Sequence, residues 1–167
     1  GDIFTVSSDG GRALQITTNE AYDSDPIWTP DGKKIVFSSY RAGSKDIFIT
    51  SAEGGAPKRL TDYPGNETPL CVLDGNRVLF QANIQQDALY GGYPGTPQIW
   101  QVDENAGRPR LVTSLPIMAL SVNKSGDLIY EDYKGYEDPL RKHHRSSVTR
   151  DIWLYKAADA QGERFRV

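Results

Sequence analysis

The sequence has one cysteine, one methionine and two histidines in 167 residues. A lone Cys71 cannot close an internal disulfide, and inside the apolar run PLCVL it reads as a buried structural thiol rather than a reactive one. The histidines, His143 and His144, are adjacent, which lacks the spaced His and Cys pattern of a zinc site. Charge is nearly balanced, with 19 Lys and Arg against 22 Asp and Glu for a net −3, so nothing draws the chain generally to nucleic acid or an anionic membrane. No apolar run approaches the roughly 20 residues of a membrane span. No stretch sustains a 3.6-residue apolar period, so helix should be scarce. The opening GDIFTVSS has neither the basic nor the apolar region of an export signal.

What the chain does have is repetition. DIFTVS from Asp2, DIFITS from Asp46, QIWQVD from Gln98 and DIWLYK from Asp151 resemble one another, and their starts are 44, 52 and 53 residues apart. Each leads into a glycine turn. The first three then reach a short strand closing on threonine, at Thr17, Thr61 and Thr113, always 15 residues after the opening polar residue. A second pair of strands lies between these units, clearest in DPIWTPDGKKIVFSS (25–39), where Pro30-Asp31-Gly32 suits a tight turn between β-branched and aromatic flanks. Weaker copies are PLCVLDGNRVLFQA (69–82) and IMALSVNKSGDLIYE (117–131).

Four strands per unit, over about 44 residues in the shortest copy, match a β-propeller blade. The apolar runs IVF, IFI, VLF and LIY fit strands covered on both faces by neighbouring blades. A β-sandwich is the competing all-β architecture, but it predicts no such repeat. The fold class is therefore all-β, a propeller segment of four-stranded antiparallel blades. It comprises a partial blade at 2–17 and blades at about 26–61, 69–113 and 117–167, all in one domain. An open arc leaves blade faces uncovered, so completion by further blades outside these residues is expected. Closure as a homo-oligomer stays open as the alternative.

DPIWTPDGKKIVFSSYRAGSKDIFITSAEGGAPKRLT (25–61) resembles the WD40-like (PD40) repeat of TolB-type and tricorn-type propellers, through DP-x-W-x-PDGKKI-x-FSS, Arg41, Asp46-Ile47-Phe48, the Gly-Gly pair and RLT. QANIQQDALYGGYPGTPQIWQV and DYKGYEDPLRKHHRSSVTRDIWLY look like the propeller region of tricorn-like S41 serine peptidases. That resemblance implies a non-catalytic part of a peptidase, binding or gating peptides for catalytic domains downstream. It also implies peptides or proteins as partners, no cofactor, and an exported or periplasmic location. A TolB-like scaffold for protein partners is the alternative. A propeller lyase or glycosidase is a second, which would need acids and histidines from several blades converging on the ring axis.

The repeat places residues 132–150 and 83–97 in the connections between the second and third strands of two adjacent blades. Both are far longer than the equivalent SYRAGSK (39–45). Loops beyond about 12–15 residues are commonly functional. The first holds Arg141, Lys142, His143, His144, Arg145 and Arg150, and the second holds Tyr90 and Tyr93; these are the candidate contacts for substrate or partner. A triad of Ser146 or Ser147 with His143 or His144 and Asp138 would sit in one loop without a G-x-S-x-G elbow, so no catalytic residue is assigned. The basic side chains instead suit charge-assisted bonds to carboxylates, a peptide C-terminus included. Solvated loop status is the plainer reading of the same residues. Asp2, Asp46 and Asp151 recur at one repeat position, which points to a structural hydrogen bond, with Arg41 as a candidate partner. Trp28, Trp100 and Trp153 read as core between blades.

Overall fold

The computed structural model describes residues 1–84, 97–105, 107–113, 117–123, 127–132, 151–156 and 164–166, and every regular element among them is a strand. β1 (Phe4–Thr5) and β2 (Leu14–Gln15) form a hairpin. Three four-stranded antiparallel meanders follow. The second blade is β3 (Asp23–Trp28), β4 (Lys34–Ser39), β5 (Asp46–Ser51) and β6 (Lys58–Arg59). The third is β7 (Glu67–Leu73), β8 (Arg77–Ala82), β9 (Gln98–Asp103) and β10 (Arg110–Thr113). The fourth is β11 (Ile117–Val122), β12 (Leu128–Asp132), β13 (Ile152–Tyr155) and β14 (Arg164–Arg166). These are blades of a β-propeller, as the repeat predicts.

Turn chemistry follows the sequence closely. At Pro30-Asp31-Gly32 the amide of Gly32 donates to the Thr29 carbonyl, and Gly32 has φ +69°. Asp31 accepts from the Thr29 hydroxyl at 2.6 Å and the Lys33 amide at 3.1 Å, and these bonds hold its carboxyl below the usual range. Gly54-Gly55 repeats Gly10-Gly11 in backbone conformation, φ +89° and +129° against +87° and +120°, which only glycine adopts without strain.

The two-faced burial expected of inner strands is most complete in the second blade. Ile35 and Phe37 of β4, with Phe48 of β5, pack on Ile3 and Ile16 of the hairpin. The opposite faces, Val36, Ile47 and Ile49, meet Val78, Phe80, Ala82, Trp100 and Val102 of the third blade. Ile99 then joins Ile117 and Tyr130 of the fourth, with Trp153 packed against them. Strand side chains alternate faces, so an apolar run in β4 or β9 supplies both seams at once.

Trp28 departs from expectation. It is 54% exposed, whereas Trp100 is 2% exposed and Trp153 half-buried against the third seam. The cause is positional, since the only strands preceding its blade among the described residues, β1 and β2, cover Ile35, Phe37 and Phe48 and do not reach it. Cys71 is partly buried in β7, and burial pushes its thiol up to about 11. Native protein should therefore react with a thiol disulfide reagent at pH 8 at least tenfold more slowly than denatured protein; equal rates would contradict the burial. Phe80→Ala should cost about 3–5 kcal/mol in denaturant unfolding, while Leu111→Ala on the half-exposed outer β10 should stay within about 1 kcal/mol.

Candidate functional site

The hairpin turns divide each blade into two ends. At one, the β3–β4 and β5–β6 turns of the second blade lie against the matching turns of the third, where Lys34 and Asn76 pair with Glu104 and Lys58 Nζ donates to the Glu104 carbonyl at 2.8 Å. At the other end lie the connections between second and third strands and the crossings to the next blade. Here the Glu67 amide donates to the Lys45 carbonyl at 2.9 Å, and Gln81 Nε2 donates to the Ile117 carbonyl at 2.7 Å. β8 ends at Ala82 and β9 begins at Gln98, while β12 ends at Asp132 and β13 begins at Ile152, so both enlarged connections leave from this second end.

Residues Tyr90, Tyr93, Arg141, Lys142, His143, His144, Arg145 and Arg150 lie outside the described residues. The described part of this end carries two exposed aromatics, Tyr22 and Tyr40, joined through a Tyr40 amide to Tyr22 carbonyl bond of 3.3 Å. Beneath them is a layer of buried polar groups. Arg41 Nη2 donates to both oxygens of Asp23, at 2.9 and 2.8 Å, and Nε donates to Ser39 Oγ at 2.8 Å. The same guanidinium lies over the rings of Phe37 and Phe48, 5.3 and 4.9 Å from their centroids. Such a fork, stacked and doubly paired, is committed to the fold and is not free for a peptide carboxylate.

The recurring aspartate has a structural role, but not the partner expected. Asp46 accepts from Ser44 Oγ at 3.0 Å, and its Oδ2 lies 2.9 Å from Arg59 rather than near Arg41. Asp2 accepts from Gln15 Nε2 at 3.0 Å. The difference is geometric: Arg59 of β6 is paired with Phe48 beside Asp46, whereas Arg41 follows β4 and turns back to β3. The fixed threonine offset also has a physical cause. Thr17 Oγ1 accepts from the Ile3 amide at 3.0 Å and Thr61 Oγ1 from the Ile47 amide at 2.9 Å, so each hydroxyl caps the backbone where the third strand begins.

Lys45 links two blades, with Nζ 2.8 Å from Asp25 Oδ2 and donating to Thr68 Oγ1 at 3.1 Å. Burial works against the Asp25 carboxylate, yet hydrogen bonds from Lys45 and Ser24 and the lysine charge hold it below its usual range. Asp23 and Glu67 went unrecognised in the sequence, although each acid stands six residues after the capping threonine. That shared offset was the available signal. Among the described residues no three His, Cys, Asp or Glu side chains gather as metal ligands. Arg41→Lys should destabilise the chain nearly as much as Arg41→Ala, by about 3 kcal/mol or more in denaturant unfolding, because neither replaces the fork on buried Asp23. Near-neutral behaviour of the lysine variant would contradict this.

The family described as the tricorn protease N-terminal beta propeller domain matches residues 1–166. Among individual proteins, Tricorn protease homolog 1 of Streptomyces coelicolor is 34% identical over 90 residues, 53% of this chain and 8% of the relative. The Tol-Pal system protein TolB of Bordetella pertussis is 41% identical over 54 residues, 32% of this chain and 12% of the relative. The chain thus spans a small part of the length of either. The solved structure of a putative TolB from Agrobacterium tumefaciens superposes with a TM-score of 0.69 at 22% identity, covering 99% of this chain and 57% of the other, a likeness of fold.

Proposed function

We propose that this chain, which belongs to the tricorn protease N-terminal beta propeller family, binds or gates peptides for a serine peptidase domain lying outside residues 1–167. The observation that carries the reading is the placement of both enlarged connections. They leave neighbouring blades at the same end, the end that also carries exposed Tyr22 and Tyr40 of the second blade. Tyrosine offers a large contact area and a polar tip at small entropic cost, and the arginines and lysine of 141–150 offer forks and charge for carboxylates. The chemistry of hydrolysis is assigned elsewhere: the described residues supply structural ion pairs and caps, and the sequence around His143 and His144 contains no G-x-S-x-G elbow.

A second reading, a TolB-like scaffold for a protein partner with no peptidase attached, draws on the Tol-Pal relative. An exported or periplasmic location belongs to both readings, and cell fractionation decides it.

The test is binding of a mixed peptide pool to the complete polypeptide that carries this segment, followed by fluorescence anisotropy. Two variants are compared, one with residues 83–97 shortened to the length of 39–45, the other with Arg141, Lys142, Arg145 and Arg150 replaced by serine. Peptide affinity should fall at least tenfold in each, with the serine variant losing most against peptides with a free C-terminal carboxylate. Unchanged peptide affinity in both would contradict the proposed face. Capture of one folded protein, with no peptide binding, would favour the scaffold.

A further inference from the structure

The first residue of each inner strand occupies one repeated position. Asp23 faces Ser39, and Glu67 faces Ala82. Their backbones match as well, since the Asp23 amide donates to the Gly1 carbonyl and the Glu67 amide to the Lys45 carbonyl, both at 2.9 Å. Two residues beyond the facing position the blades diverge. The second blade has Arg41, which holds both oxygens of Asp23. The third has Ile84, a buried member of the apolar seam. Glu67 therefore stands where the second blade also has an acid, but without an arginine at the position of Arg41; the fourth blade has Ile117 there.

Its surroundings are closed. Glu67 is 0% exposed, its Oε2 accepts from the Thr61 hydroxyl, and its Oε1 is buried with no hydrogen-bond partner. Its backbone carbonyl accepts from Ser38 Oγ at 2.8 Å, so the residue is fixed in place between two blades. The charged groups acting on it are Asp46 from β5 and Arg59 from β6. Arg59 is already 2.9 Å from Asp46 Oδ2.

We propose that the Glu67 carboxyl is a proton-controlled joint between the second and third blades: neutral, it lets the blades seal, and ionised, it weakens the seam. An ionised carboxylate here would place a charge with no cation paired to it in a fully buried site beside the Asp46 carboxylate. Neutralisation removes that cost. Consistent with the geometry, burial pushes the group up from 4.5 to about 7; the Asp46 charge adds to the rise, and the Thr61 bond, the Ile47 backbone amide and Arg59 only partly oppose it. Because the folded state holds this proton more tightly than the unfolded chain, folding is favoured most at low pH. The loss begins near 4.5 and is complete once pH passes about 7. Glu67 lies at the end from which the long connections leave, so the joint sits beneath the proposed binding face.

The experiment compares unfolding of the complete polypeptide and its Glu67→Gln variant from pH 5 to 8.5. The ratio of their unfolding constants, wild type over variant, should rise by up to about tenfold per pH unit below neutrality, then level off. A flat ratio, or one that falls with pH, overturns the proposal. Ile84→Arg, which restores the repeat's pair, should likewise flatten the wild-type slope. In wild-type protein alone, the 13Cδ shift of Glu67 should titrate near neutrality. Titration in the ordinary carboxylate range would overturn the proposal even if neither variant folds.

Discussion

The structure depends on burying single strands from both sides. A strand in a one-layer sheet has a wet face and a dry one, but β4 and β5 have no wet face at all. Val36, Phe37 and Ile47 are each fully buried, although neighbours along a strand point in opposite directions. The second and third blades are thus each the core of two seams, and neither seam forms without the next blade. Backbone hydrogen bonds close the sheets internally, while hydrophobic contact between sheets supplies the cohesion along the arc. The buried charged groups, Asp23, Asp46 and Glu67, are found at the blade ends.

At those ends the molecule satisfies its buried polar atoms in pairs. Thr17 and Thr61 cap the amides of Ile3 and Ile47, Arg41 closes on Asp23, and Lys45 spans Asp25 and Thr68. These bonds matter more for fixing the register between blades than for net stability, because removing one partner leaves the other stranded in a dry place. Glu67 is one point where the scheme is incomplete, with Gln98 Oε1 and Trp100 Nε1 also buried without a hydrogen-bond partner. A local replacement, isoleucine for arginine at position 84, turns a structural acid into a titratable one.

Much of this was legible in the residues. The recurrence of DIF, DIF and QIW with threonine at a constant offset identifies the blade, and the hydroxyl caps at Thr17 and Thr61 give that offset a physical cause. Pro30-Asp31-Gly32 specifies its turn through local chemistry alone. Pairings across the sheet were harder to read. Arg41 lies close in sequence to Asp46, yet it follows β4 and folds back onto Asp23, 18 residues upstream. Trp28, like Trp100, lies in a strand segment rich in apolar residues, but its burial depends on which neighbouring strands reach it, a property no window of sequence contains. The candidate contacts of 141–150, with Tyr90 and Tyr93, rest on loop length and residue type. Loop length is readable, but the position of each side chain is a matter of tertiary packing.

Native-state hydrogen exchange on the complete polypeptide tests the central claim, that blade-to-blade burial holds the arc together. Amides of β4, β5, β8 and β9 should exchange slowest and as one cooperative group. The Ile47 amide should be among them although its partner is a threonine hydroxyl. If β4 and β5 instead exchange as fast as the β1–β2 hairpin, the seams are not what stabilises these strands, and the account fails.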